Sequence, residues 1–293
     1  MDPNITLMYV ASRGKFIPRN SCRVILSREN NRKRLPPQFE DSIDKVWDTR
    51  VQQNNLLFNG SKFRVASIDV NSEGRTILNL GLTCYKDFIG TNWSPDAKWF
   101  QELGRRHHGN SQAFMSDALG VGALVLTSDN HVILQRRSEN CGEAGGLWDV
   151  PGGHAEPEEI VGKVDISDMD PGDLPASDVC NEVFDSILRE VRDEVNIPLC
   201  DLDDPKLIGV ARNTTSAGRP SLEFLVSCHL SAAEVAEGYH RGTQPEAEES
   251  TTIRLIPHTV ALTLQESDKD LWSKLAPSAK GCLTLYRTVL SAR

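Results

Sequence analysis

Three acidic side chains near the middle of the chain are the residues most able to do chemistry. Glu190, Asp193 and Glu194 are spaced i, i+3 and i+4 in a segment, 176–197, whose apolar residues recur at helical spacing. On a helix their carboxylates emerge on one face, with Cβ atoms roughly 5–6 Å apart, and repel each other. A hard divalent cation prefers carboxylate oxygens and turns such repulsion into a binding site.

The simplest alternative is a solvated acidic helix face, and a Gly-rich segment upstream argues against it. The sequence W-D-V-P-G-G-H-A-E at 148–156 indicates a turn after an apolar strand. Its paired glycines let backbone approach a metal or a phosphate with no Cβ in the way. We therefore predict that this turn and the acidic helix form one site.

Together, residues 152–159 and 189–197 resemble the Nudix box, the signature of Nudix hydrolases. The pattern is G-x5-E-x7-R-E-U-x-E-E-x-G-U, where U is a bulky apolar residue. Gly153 and Glu159 match its first part in register. The second part is matched by Arg189, Glu190, Val191, Glu194 and Ile197.

The sequence departs from this pattern at three places. An insertion of about 22 residues at 160–181 separates Glu159 from Arg189, at a closure cost of roughly 1–2 kcal/mol because that entropy grows only logarithmically with length. Asp193 stands where the pattern has Glu, so its carboxylate reaches one methylene less. Asn196 replaces the helix-terminating Gly, and Asn also adopts the left-handed conformation at a helix end.

The resemblance implies a fold, a reaction and a set of ligands. It implies a Nudix α/β/α sandwich with a mixed sheet over 118–293, and hydrolysis of a nucleoside-linked diphosphate by water with Mg²⁺, Mn²⁺ being the alternative. By position it makes Glu190 and Glu194 metal ligands, with the Gly152 carbonyl as a further oxygen. Asp193 would contact the metal indirectly, through a bound water or through another ligand of the metal.

Two further roles come with the resemblance. Glu159 and Arg189 match the pair that braces the loop against the helix. The catalytic general base stays open among the carboxylates, with Glu190 the first candidate.

The whole chain, including residues 82–93 and 211–219, looks like the branch of the family that hydrolyses UDP-sugars. That resemblance implies a nucleotide-sugar substrate, UDP-glucose or UDP-galactose, cleaved to UMP and the sugar 1-phosphate. Two other interpretations stay open: a Nudix hydrolase of another substrate such as ADP-ribose or coenzyme A, and a catalytically inactive binding module of the same fold.

A UDP-sugar needs a stacking partner for uracil and cations for the diphosphate. Phe58 and Tyr85 are the stacking candidates, with burial in a hydrophobic core as the alternative for Phe58. Arg137 follows a predicted strand and suits phosphate, or else is solvated at a strand end. The residues expected to face the cleft beside the glycine pair are Asp149, His154 and Glu156.

Four other charged residues have two interpretations each. Arg212 and Arg219 are predicted on a loop that serves as a lid or as a plain hairpin turn. Glu248 and Glu249 resemble the downstream acidic position that many Nudix enzymes use near the metal, with surface charge as the alternative.

The elements that must position these residues are predicted from periodicity and turn signals. Residues 1–117 are predicted to form a smaller α+β N-terminal domain, with a helix at 42–53, a hairpin around 71–74 and a second helix capped by Ser94. The predicted strands are 6–10, 23–26, 63–70, 76–82, 121–126, 132–135, 206–211, 222–227 and 252–255. A helix at 278–290 closes the chain.

Composition excludes several classes of protein. The 293 residues carry a formal net charge of −9, so we expect no nucleic acid partner, because such binding needs a cationic surface. No apolar window approaches a membrane span and no signal pattern is present, so no membrane partner is expected. The seven dispersed cysteines indicate reduced thiols and an intracellular location, cytoplasmic or nuclear. The oligomeric state stays open.

Overall fold

A computed structural model describes residues 2–12, 14–53 and 57–291. Its strands are β1 (Ile5–Val10), β2 (Ile17–Pro18), β3 (Cys22–Leu26), β4 (Ser61–Val70), β5 (Thr76–Cys84), β6 (Gly120–Leu126), β7 (His131–Arg137), β8 (Trp148–Asp149), β9 (Gly152–His154), β10 (Lys206–Asn213), β11 (Arg219–Ser227) and β12 (Ser250–Pro257). Its α-helices are α1 (Pro37–Gln53), α2 (Tyr85–Gly90), α3 (Ala97–His108), α4 (Glu158–Val161), α5 (Ala176–Val195), α6 (Ala232–His240), α7 (His258–Ser267), α8 (Lys269–Ser273) and α9 (Pro277–Leu290).

A large mixed sheet carries the middle and the end of the chain. Its strands run in the order β1-β10-β11-β6-β7-β12, with β2, β8 and β9 added to β10, β7 and β6. The β11–β6 pair is parallel, whereas β1–β10, β10–β11 and β7–β12 are antiparallel. Helix α5 packs on one face and α9 on the other. The predicted α/β/α sandwich with a mixed sheet is confirmed.

Burial on both faces of this sheet explains the sequences of its central strands. Strand β6 reads G-V-G-A-L-V-L, a nearly continuous apolar run of the kind that two-sided burial requires. Val183, Ile187 and Val191 of α5 recur at helical spacing and are fully buried against it. The acidic residues of α5 therefore lie at the edge of the face that the helix buries against the sheet.

A second, three-stranded sheet carries the N-terminal part in the order β3-β5-β4. Strands β4 and β5 pair antiparallel across the predicted turn, and β3 joins β5 in parallel. Strands β1 and β2 pair instead with β10, so the first residues belong to the large sheet. The division of the chain at residue 117 stays a prediction, and any domain boundary has to accommodate this pairing.

The insertion at 160–181 packs against the protein. Met169, Pro171 and Leu174 are buried, and the first and third of these join the core between α5 and the small sheet. Asp170 pairs with Arg28 at 2.6 Å. The Asp, Gly and Pro residues of this segment therefore form short turns around an apolar anchor.

Several helices differ from the sequence prediction. Helices α2, α4, α6, α7 and α8 were not predicted, because they are short or lack a clear apolar period. Helix α3 begins at Ala97, so the predicted N-cap at Ser94 is wrong: the Ser94 Oγ accepts the backbone N–H of Asp96 at 3.1 Å, within a turn that precedes the helix. No helix in the described ranges combines the length and the apolarity that crossing a bilayer would need.

Candidate active site

A cleft of about 360 Å³ lies where the N-terminal segment meets the large sheet. The N-terminal side supplies one cation and three aromatic residues to its wall: Lys62, Tyr85, Phe88 and Trp93. Other lining residues come from the Gly-rich segment, from α5, from β7 and β11, and from the turn before β12: Asp149, Gly152, Gly153, His154, Glu156, Glu190, Arg137, Arg219, Ser221, Glu246 and Glu249. Elements distant in sequence thus build one site.

The glycine pair allows the close packing that the site requires. Gly152 and Gly153 pair with Gly122 and Val121 of β6. A Cβ at Gly152 would overlap the Val121 carbonyl oxygen, and a Cβ at Gly153 would overlap the Glu190 carboxylate. Backbone therefore excludes any side chain at Gly152, whereas a side chain at Gly153 would displace the Glu190 carboxylate from the site.

Two carboxylates of α5 hold this loop through its backbone. The Glu194 Oε2 accepts the N–H of Gly152 at 2.8 Å, and the Glu190 Oε1 accepts the N–H of His154 at 3.2 Å. The helix ends at Asn196, which adopts the predicted left-handed conformation with φ of 66°. The Asn196 amide also donates to the Gly238 carbonyl at 2.7 Å, which fixes the end of the helix.

An acidic cluster forms around Glu194. One carboxylate oxygen from each of Glu194, Glu246 and Glu249 lies within 4.8 Å of the others. The N–H of Glu246 donates to the Asp193 carbonyl at 3.0 Å, so α5 positions this turn directly. Sequence reasoning singled out Glu249 but missed Glu246, because only the folded turn brings it to the helix.

Negative charge is costly to bury on Glu194 and on Glu190, which lies one helical turn before it. Burial, together with the charge of the nearby Glu246 carboxylate, raises the pKa of Glu190 to about 8. Burial also raises the pKa of Glu194 well above its usual range, with the charge of Glu190 adding to the effect. A divalent cation would relieve both penalties, so the donor set fits a hard metal ion.

Asp193 lies apart from the cleft. Both its oxygens accept hydrogen bonds from the Arg192 guanidinium, at 2.7 and 2.6 Å. Its side chain does not line the cleft, and its backbone carbonyl is the group that touches the acidic turn. Glu248 also lies outside the cluster and lines a neighbouring pocket together with Arg137 and Glu249.

The brace between loop and helix is formed by a residue that the sequence did not indicate. The Arg189 Nη2 donates to both oxygens of Glu182, at 2.7 and 2.8 Å, and Glu182 also accepts the N–H of Glu156 at 3.1 Å. The predicted Glu159–Arg189 brace is wrong. The insertion carries Glu159 into α4, whereas Glu182 lies on α5 two turns before Arg189.

The cations at the cleft come from β7 and β11. Arg137 lines it near the Glu143 carbonyl, to which its Nε donates at 3.0 Å. Arg219 contacts the His154 Nε2 at 3.3 Å and pairs with Glu143 at 3.1 Å. Burial lowers the pKa of His154 well below its usual range, and the Lys62 and Arg219 charges add to this, so its ring is neutral.

Arg212 and Arg219 do not lie on a loop. They occupy the adjacent ends of β10 and β11, which pair antiparallel through Asn213 and Arg219. The Arg212 Nη1 donates to the buried carboxylate of Asp117 at 3.0 Å. The lid alternative is therefore wrong, whereas the hairpin alternative is confirmed: a short turn joins β10 to β11, and the two residues lie in the strands on either side of it.

The two aromatic residues predicted to stack on uracil lie in different environments. Tyr85 lines the cleft, whereas Phe58 is 62% exposed, outside the cleft, with the Lys163 ammonium 5.9 Å from its ring. Trp93, which sequence reasoning missed as a stacking residue, lines the cleft and donates from Nε1 to the Ser216 Oγ at 3.2 Å. Trp93 belongs to the segment 82–93, whose resemblance to the UDP-sugar branch of the family could have identified it as a substrate-binding residue.

Asp149 forms part of the cleft floor. It is buried, and both its oxygens lie 2.7 Å from the Ser278 Oγ at the start of α9. Burial raises the pKa of Asp149, although the nearby Arg137 charge opposes the shift. This carboxyl therefore joins β8 to α9 beneath the cleft.

The chain is similar to proteins of known family. The NUDIX domain model matches residues 117–271. A Homo sapiens protein named uridine diphosphate glucose pyrophosphatase NUDT22 is 41% identical over 299 residues, covering 99% of this chain and 94% of that protein. Nudix hydrolase 9 of Arabidopsis thaliana is 34% identical over 269 residues, covering 88% and 82%. Among solved structures, the MutT protein from Methanosarcina mazei Go1 is 17% identical with a TM-score of 0.35, covering 58% of this chain and 91% of that one.

Proposed function

We propose, from the premise that this chain belongs to the NUDIX family, that it hydrolyses UDP-glucose and UDP-galactose to UMP and the sugar 1-phosphate. The observation that carries the proposal is the 41% identity, along nearly the whole chain, to a uridine diphosphate glucose pyrophosphatase. Because that identity extends over both sides of the cleft, it supports a shared substrate as well as a shared reaction.

The metal of the proposed reaction is Mg²⁺, with Mn²⁺ as the alternative. The residues that would hold it are Glu190, Glu194, Glu246, Glu249 and the Gly152 carbonyl. When bound, a divalent cation supplies positive charge against the diphosphate and makes water a better nucleophile. The close carboxylates of Glu194, Glu246 and Glu249, with the buried Glu190 beside them, support this assignment.

The side chains around the cluster have distinct tasks in the proposal. Arg137 and Arg219 face the diphosphate, since guanidinium groups form strong charge-assisted bonds to phosphate. The neutral His154 ring and the backbone of the glycine pair shape the wall beside them. A carboxylate at the metal site takes the proton of the attacking water; Glu190 is the first candidate, and Glu246 and Glu249 line the same cleft.

Uracil recognition is proposed at the aromatic wall. Tyr85 and Trp93 present ring surfaces to the cleft, and stacking on an aromatic side chain is worth roughly 1–3 kcal/mol per base. The exposed position of Phe58 makes it the weaker candidate of the two that the sequence indicated.

A substrate panel tests the proposed function. UDP-glucose, UDP-galactose, ADP-ribose and coenzyme A are incubated with the full chain with and without Mg²⁺, and products are separated by chromatography. We expect Mg²⁺-dependent release of UMP and hexose 1-phosphate from the UDP-sugars only. Cleavage confined to ADP-ribose or coenzyme A would refute the substrate, and silence across the panel would favour the inactive binding module.

The proposed location is a reducing compartment, the cytoplasm or the nucleus. All seven cysteines are free, and five of them are buried. Dispersed, unpaired thiols are typical of proteins in reducing compartments. Imaging of the tagged chain in cells tests this location.

A further inference from the structure

Lys62 occupies a position at the cleft that its sequence context did not suggest. It lies near the start of β4, paired with Thr83 of β5, and its side chain is only 11% exposed. The ammonium group lines the same cleft as Glu190 and His154. The small N-terminal sheet thus places a positive charge beside the Gly-rich loop.

One carboxylate partners this ammonium within the described ranges. The Lys62 Nζ donates to the Glu156 Oε1, and no other hydrogen bond of this nitrogen is formed among the residues that the structure describes. An ammonium group has three N–H donors, and burying a charge is costly unless it is paired and hydrogen-bonded. Donors therefore remain for a ligand in the cleft.

The surroundings of Lys62 indicate an anionic ligand. Its charge acts on His154, the residue that follows the glycine pair, and on Glu158. The backbone N–H of Glu156 donates to Glu182 at 3.1 Å, which anchors this residue in the loop beside Lys62. With a cation on the acidic cluster, Lys62 would extend a positive surface from the metal site toward the N-terminal wall.

We propose that Lys62 is a binding residue for the diphosphate of the substrate, donating to a phosphate oxygen while Glu156 holds its ammonium in place. This rests on the proposed function and assigns a phosphate contact to the N-terminal sheet, outside the residues that match the Nudix box. Substrate selection by this chain would then depend on the N-terminal part through the charge of Lys62 as well as through stacking on Tyr85 and Trp93.

Ligand binding by full-length variants tests the proposal. UDP, UMP and uridine are titrated calorimetrically with Mg²⁺ into wild type, Lys62→Met and Lys62→Arg. We expect Lys62→Met to weaken UDP binding about tenfold or more, to leave uridine binding unchanged, and to raise the KM for UDP-glucose far more than it lowers kcat. Lys62→Arg should recover most of the UDP affinity, because it restores the cation.

Lys86→Met is the matched control. Lys86 lies in the same N-terminal part and pairs with Asp44 at 2.7 Å, but it does not line the cleft. Like Lys62→Met, the Lys86→Met substitution removes an ion pair between a lysine and an acidic residue. We expect it to leave the UDP affinity unchanged. If Lys62→Met does not fold, Lys62→Gln retains a donor to Glu156 without the charge and answers the same question.

The proposal is overturned if Lys62→Met lowers the Tm but binds UDP as wild type does, since the ion pair with Glu156 would then be purely structural. Equal weakening of UDP and uridine binding would also overturn it, because the effect would not involve phosphate. Failure of the proposed function gives a different result: wild type would bind UDP yet release no UMP from UDP-glucose, and the Lys62 comparison would still be read from UDP binding.

Discussion

Glu182 shows how one buried side chain can join two parts of a site. Its carboxylate receives the Arg189 guanidinium from its own helix and the N–H of Glu156 from the Gly-rich loop. Hydrogen bonds to a charged group contribute about 1.5–3 kcal/mol each, and a buried partner left unsatisfied adds a penalty. Glu182 therefore fixes the distance between loop and helix.

Replacing this residue should loosen that connection. We expect Glu182→Gln to lower the free energy of unfolding by about 1–3 kcal/mol. Urea denaturation measures it, with Glu159→Gln as the matched control on the residue that the sequence pattern indicated. A larger loss for Glu159→Gln than for Glu182→Gln would contradict the observed brace.

Glu223 is a second buried acid, away from the acidic cluster. It is fully buried on β11, and the polar side chains beside it are Ser221 and Cys282. Burial raises the pKa of Glu223 to about 8. The folded state therefore keeps a proton on this group at pH values where the unfolded chain has lost it.

That difference sets the sign of a pH dependence. Between about pH 5 and 8 the folded state binds more protons at this position, so stability falls as the pH rises, by at most about 1.4 kcal/mol per pH unit. Urea denaturation of wild type and Glu223→Gln at pH 6 and pH 8 measures the effect. The variant should lose less stability than wild type over this interval, and identical slopes would exclude Glu223 as the source.

At the scale of elements, the insertion at 160–181 acts as a packed strap between α5 and the small sheet. Leu174 and Met169 belong to the buried core, whereas the Arg28–Asp170 pair is exposed to solvent. Burial of large apolar side chains contributes far more to stability than an exposed ion pair does. The apolar residues should therefore hold this segment.

Two substitutions separate these contributions. We expect Leu174→Ala to lower the free energy of unfolding by about 2–5 kcal/mol, because it leaves a cavity in the core. Asp170→Asn should change it by less than about 1 kcal/mol, since exposed ion pairs contribute little. Equal effects in urea denaturation would mean that the segment does not pack as described.

Sequence reasoning reached the parts of the site that lie close together in the chain. The spacing of Glu190 and Glu194 and the glycine pair are local patterns, and the structure brings them into contact. The brace was misassigned because an insertion broke the register between Glu159 and Arg189. A sequence pattern with fixed spacing cannot identify Glu182 as the carboxylate that pairs with Arg189.

The residues that were missed meet the site only through the fold. Lys62, Trp93 and Glu246 come from a strand, a turn and a loop far from the box, and a lone Lys in a strand carries no local signal of burial. The prediction of secondary structure succeeded where periodicity was long, as in α5, and failed for short helices such as α2. The pairing of β1 with β10 also required tertiary information.

For the whole molecule, the cleft joins an acidic cluster on one side with aromatic and cationic residues of the N-terminal side on the other. The first strand of the chain pairs with β10, whose end lies next to Arg219. Both halves of the chain therefore support the same site. We propose that the cluster around Glu194 holds the metal on which hydrolysis depends.

The most direct measurement of that claim is release of UMP from UDP-glucose by wild type, Glu194→Gln and Glu248→Gln, with Mn²⁺ binding followed in parallel. Glu248 is the matched control, since it is exposed in the same turn but lies outside the cluster. We expect Glu194→Gln to lose at least about 100-fold in turnover, on the scale of lost charge stabilisation at an active site, together with Mn²⁺ affinity. Glu248→Gln should behave as wild type, whereas full activity and metal binding in Glu194→Gln would contradict the account.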